Sequence, residues 1–170
     1  MAKWMNFYIQ RMGTNGSGSS YPVYESVRQW GVWCKAIPFS IMEKAKEPAK
    51  RSFFDEHGDD EYIPSGGLFA EAYTMKIEFG CKKMPARTVE GVTIPAVDDV
   101  RQKVGAFIAY LRESGMMRLY SSYTRIGRQN VRLESVSNDA KWKSEDGQEF
   151  LVFTINLKVN DPVTDITLSV

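Results

Sequence analysis

The chain has 170 residues, 43% hydrophobic and 25% charged, a globular balance that excludes a disordered chain and is large enough for one domain over residues 1–170 with a buried core. Lys and Arg total 22 against 21 Asp and Glu, so the net charge of +1 excludes a uniformly basic surface for coating nucleic acid. No stretch approaches the ~18 apolar residues of a membrane span, so no membrane partner is expected.

Met1–Asn6 carries one Lys and no long apolar region, so it is not a signal peptide and the expected location is cytoplasmic. Cys34 and Cys81 fit that compartment as two buried thiols, one bridge being the alternative.

Lys3–Arg11, rich in aromatic and β-favouring residues, reads as a strand, and Gly13–Ser20 as a flexible polar loop. Tyr21–Ile37 reads as strand, with Gly31 a bulge; a short helix over Glu25–Trp30 is the alternative. Ala45–Gly67 is polar and turn-rich, with Pro48, Pro64 and an acidic run, and reads as a long acidic loop or arm. Ala72–Phe79 alternates Tyr73, Met75, Ile77 and Phe79 with Thr74, Lys76 and Glu78, the pattern of a strand with one buried face. Lys82–Pro95 reads as irregular.

Val97, Val100, Val104, Phe107, Ile108 and Leu111 form one apolar stripe and predict an amphipathic helix over Val97–Ser114. Asp98 and Asp99 complement its dipole in the first turn, and Ser114-Gly115 stops it. Strands follow at Met116–Ser122, Val131–Val136 and Glu149–Val159, the last two joined by a polar hairpin loop, Ser137–Gly147. The order predicts an α+β fold: mostly antiparallel β, split-barrel or sandwich-like, with one amphipathic helix packed on the sheet.

No motif carries a reaction. Gly13 and Gly18 match the glycines of a phosphate loop, but Ser19 stands where the lysine is needed. Tyr21-Pro22-Val23 then runs extended where a helix should open. Asp55, Glu56, His57, Asp59, Asp60 and Glu61 offer cation ligands but match neither an EF-hand nor a paired-histidine zinc pattern, since His57 is the single histidine. The bland reading is a solvated acidic turn, or a loop that meets a basic partner surface. Cys34 and Cys81 lie in strand-like runs and read as inert core residues. Arg118, Arg125, Arg128, Arg132, Lys141 and Lys143, interleaved with Tyr120, Tyr123 and Trp142, suit a protein interface better than DNA backbone. Competing readings are a metal-dependent enzyme centred on the acidic run, and a carbohydrate-binding β domain that stacks sugars on Trp30, Trp33 and Trp142.

Three passages resemble the ring-forming N-terminal domain of siphophage distal tail proteins and, by extension, the related tail-tube proteins. They are Lys50–Tyr62, with its Arg followed by an acidic-Gly-acidic turn and an aromatic; the strand Ala72–Phe79 with the helix after it; and Leu119–Val131, a polar turn and an aromatic leading into Ile126-Gly127-Arg128. A closing strand ending at Asn160-Asp161-Pro162 is also similar. The chain ends shortly after Pro162, so only the ring-forming part is expected, without a second β-sandwich.

The resemblance implies a structural phage or prophage tail protein, not an enzyme, with no catalytic residue, no cofactor and no metal. It implies a ring homo-oligomer (a hexamer) that contacts other tail proteins, is assembled into the virion tail, and meets DNA only as passing cargo. A tail-tube or tail-terminator role is the alternative. The implied interface residues are Arg51, Phe54, Asp55, His57, Asp59, Asp60, Tyr62, Tyr123, Arg125, Arg128 and Trp142.

Overall fold

The computed structural model describes residues 6–36, 44–137, 141–145 and 148–170. Residues 3–5 of the first expected strand, Ile37, and residues 138–140 and 146–147 of the expected polar loop lie outside them. In chain order the elements are β1 (Phe7–Arg11), β2 (Val23–Glu25), α1 (Ser26–Trp30), β3 (Val32–Ala36), β4 (Ala49–Arg51), β5 (Asp60–Tyr62), β6 (Tyr73–Lys82), β7 (Arg87–Val89), β8 (Val92–Ile94), α2 (Val100–Ser114), β9 (Met117–Ser121), β10 (Gly127–Val136), β11 (Lys141–Glu145) and β12 (Gln148–Val159). Among the described residues, no helix is long and apolar enough to cross a membrane.

One eight-stranded antiparallel sheet runs β2-β1-β9-β10-β12-β6-β3, with β11 paired to β12 as well. Its two edge strands, β2 and β3, are neighbours in the chain. Only the five-residue α1, a rise of roughly 8 Å, and Gly31 separate them. The sheet must therefore curl until its edges face each other, giving a half-barrel closed by a helix instead of by hydrogen bonds. The expected α+β architecture is the one found.

The concave face holds the core. Alternating residues of β6 (Met75, Ile77, Phe79, Cys81) and β12 (Phe153, Ile155, Leu157, Val159) are buried there, in register from Phe150–Lys82 to Val159–Tyr73. α2 fills the hollow with Val100, Val104, Phe107 and Leu111. Phe107 sits at its centre, 5.3 Å from Trp30, 5.2 Å from Phe79 and 6.5 Å from Phe153, ring centre to ring centre. These tilted and edge-on contacts suit the charge distribution of aromatic rings.

Local chemistry corrects several expectations. The continuous strand over Tyr21–Ile37 is broken by α1, the alternative reading. Glu25 caps it, its carboxylate accepting from the Val27 and Arg28 N–H groups at 3.2 and 3.0 Å. Gly31 ends it in the left-handed conformation at φ 66° and is not a bulge, and a Cβ there would run into the Val97 side chain. α2 starts at Val100, three residues later than the apolar stripe suggests. Val97 instead exchanges backbone hydrogen bonds with Met84, and Asp99 is the cap, accepting from Gln102 N–H at 3.0 Å. The segment Lys82–Pro95 contains the β7–β8 hairpin, Ala45–Gly67 contains the β4–β5 ribbon, and the polar loop after Val136 contains β11.

Replacing Phe107 by Ala removes the ring that three parts of the core share. Urea unfolding should show a loss of about 3–5 kcal/mol; a loss below about 1 kcal/mol would show that this ring does not organise the core.

Candidate assembly surface

The β4–β5 ribbon stands off the main sheet as an arm. Its register pairs Ala49 with Tyr62, Lys50 with Glu61 and Arg51 with Asp60. Arg51 donates through Nε and Nη2 to Asp60 Oδ2 at 3.2 and 3.0 Å and lies 5.3 Å from the Phe53 ring centre, while Lys50 reaches Asp59 at 3.4 Å. Every one of these groups is exposed, so the ion pairs shape the ribbon and add little stability. At its stem, Lys46 N–H donates to the Phe69 carbonyl and Glu71 N–H to the Lys44 carbonyl, each at 2.7 Å.

The arm carries apolar groups that the core does not use. Phe54 is wholly exposed beside Asp55, Glu56 and His57, and Phe53, Tyr62, Ile63, Leu68 and Phe69 are exposed along the same segment. Large apolar groups clustered on one exposed segment mark a contact surface. Thus seven of the expected interface residues (Arg51, Phe54, Asp55, His57, Asp59, Asp60 and Tyr62) share one exposed projection. Tyr123 and Arg125 lie on a separate turn between β9 and β10, both exposed, with Arg125 N–H donating to the Ser121 carbonyl at 2.9 Å. Trp142 is half-exposed on β11, opposite Leu151.

Arg128, expected on the same surface, is instead buried. It donates to the Gly127 carbonyl at 2.9 Å and pairs with Asp165, and a further hydrogen bond to Tyr73 raises its pKa against the cost of burial. The residue therefore fastens the segment after β12 to β10. Gly127 makes room: a Cβ there would occupy the place of the Ile166 carbonyl. Gln129 donates to Asp161 at 2.8 Å, and the same carboxylate accepts from the Val163 and Thr164 N–H groups at 3.3 and 3.1 Å. The Gln129 bond, then the Thr164 N–H, hold the Asp161 pKa down to about 2.

In the Gly13–Ser20 loop, Asn15 Oδ1 accepts from Ser17 N–H, Ser17 Oγ and Ser19 N–H, so these donors are turned inward rather than toward a phosphate. Among the described residues, no three His, Cys, Asp or Glu converge to hold a metal ion. Cys34 and Cys81 are buried free thiols, and desolvation pushes their pKa values up to about 12 and about 11, far from nucleophilic thiolates at neutral pH. Trp30 belongs to the core, and Trp33 is half-buried with Arg87 at 5.2 Å from its ring centre.

No protein-family model matches the chain, and no curated protein matches it. A solved structure does: the crystal structure of SPP1 Dit (gp 19.1), described as a paradigm of the hub adsorption apparatus in phages infecting Gram-positive bacteria. The similarity covers 94% of this chain with a TM-score of 0.56 at 12% sequence identity. The chain spans about half of that protein, 51% of its length. At this identity, what is shared is the fold.

The Asp161 contacts predict a pH response. The carboxylate's pKa is lower when folded, so its contribution is complete above the ordinary value of 3.8 and is lost as pH falls through about 2. Amide-exchange protection at Val163 and Thr164, followed by NMR on acidification, should fall within that window, and Asp161→Ala should remove it at neutral pH. Unchanged protection in the variant would refute this role of Asp161.

Proposed function

We infer that this chain is a structural protein of a phage tail, of the distal-tail or hub type, that works as a homo-oligomeric ring. The observation that carries this is the likeness to SPP1 Dit over nearly the whole chain, in a fold whose solvent-facing feature is an unpartnered aromatic and acidic arm. In this reading residues 1–170 fold as one unit and the arm of each copy engages the next. Six copies surround a lumen through which DNA passes as cargo. The ring contacts other tail proteins and ends up in the virion. The role is architectural and requires no cofactor or reaction centre.

The arm fits this role because it is dispensable for the core. Among the described residues, β4 and β5 pair only with each other, and their side chains are exposed. Specific interfaces enrich aromatics and Arg, which the ribbon supplies in Arg51, Phe53, Phe54 and Tyr62.

Light scattering and negative-stain microscopy of the purified chain should show closed rings. Deleting Phe54–Glu61 should yield a monomer whose circular dichroism and melting temperature match the parent. A parent chain that stays monomeric at every concentration, or a deletion variant that elutes as the same oligomer, would overturn the reading.

A further inference from the structure

We propose that the cleft between the end of α2 and the second half of β10 is the socket for the arm tip of a second copy of this chain; this rests on the ring reading and names the surface that the arm meets.

The cleft exists because two neighbours diverge. β9 pairs with β10 only as far as Val131, opposite Met117. Beyond that point, among the described residues, no strand continues the ladder on this side of β10, and a register shift between Leu133 and Ser135 bends the strand. On the other side α2 ends and the chain turns through Gly115 at φ 64°, leaving Met116 exposed. The result is a hollow of about 460 Å³ with Leu111, Met116 and Leu133 as apolar lining and Arg112, Arg132 and Glu134 as charged lining.

The charges select the occupant. Glu134 is engaged by Thr74 Oγ1 at 2.8 Å. Among the described residues, Arg112 meets only Glu113, at 4.0 Å, and Arg132 donates only to the Leu133 carbonyl, at 3.3 Å. Both guanidinium groups thus retain donors for an anion. The arm tip offers the complement. Phe53-Phe54 supplies two exposed rings, and Asp55 and Glu56 make no ion pair among the described residues, while Asp59 and Asp60 are matched by Lys50 and Arg51. Apolar anchors placed in a pocket with charged groups at its rim are the arrangement that concentrates binding energy.

Reach and geometry agree. From the bridge at Ala45 to Phe54 the chain extends at most roughly 30 Å, enough to leave its own sheet. Tip and socket are different surfaces, so the contact is head-to-tail and generates a ring when the rotation closes.

The test mixes two single variants, Phe54→Cys and Met116→Cys, and oxidises them; native Cys34 and Cys81 are buried and do not compete. A disulfide-linked dimer formed only from the mixture is expected, and a chain carrying both substitutions should give a ladder of covalent multimers. In a second arm, Arg132→Glu should weaken assembly at least about tenfold, and combining it with Asp55→Arg should restore it. Rings without the mixed disulfide and without charge-swap rescue would overturn the socket and leave the ring reading standing. A chain that never assembles would overturn both.

Discussion

Trp30 packs against Phe107 where the two edges of the curled sheet, β2 and β3, are not joined by hydrogen bonds. The edges β2 and β3 do not pair with each other, and α1 with its buried Trp30 spans the chain between them. α1 is too short to be stable alone. It is fixed by the Glu25 carboxylate at its start, by Gly31 at its end, and by Trp30, whose ring also meets Tyr24 and Tyr110 at 5.7 and 5.0 Å. Burial penalises the Glu25 charge, and two backbone N–H bonds oppose that penalty. The position of α2, and with it the lining of the half-barrel, follows from this aromatic joint.

Around that joint the molecule divides its labour. β6 and β12 are paired along nearly their whole length and carry much of the core. The arm is joined by a short stem, and its surface ion pairs lie within the ribbon itself. Its aromatics therefore add almost nothing to folding and are left for contacts outside the chain. Arg128 shows the opposite use of a charged group, turned inward to hold a segment that follows β12.

The parts of the fold legible in the sequence were those where one face is buried. β6 and β12 alternate strictly, and α2 shows its stripe, because burial imposes a period on residue choice. The ribbons β4–β5 and β7–β8 and the strand β11 were missed because they are short and, in the arm, exposed on both faces, which leaves no period to read. Val97 fits the helix stripe by spacing yet sits in a β-bridge, since burial alone does not say which backbone partner is used. The arm stood out through composition, its aromatics and acids lying outside any period. Arg128 was misplaced because its burial depends on Asp165 and Tyr73, which are remote in sequence.

The order of strands has a consequence for how the chain must be made. β12, last of the strands in sequence, lies in the middle of the sheet, between β10 and β6. Without β12 the sheet would fall into two parts, β3 with β6 and β2-β1-β9-β10, joined through α1 and each ending in a bare hydrogen-bonding edge. Only when residues 148–159 have left the ribosome does one strand join both pieces. Long-range pairing through a central last strand is the kind of topology that folds slowly, and an edge left bare until then is open to pairing with a neighbouring chain.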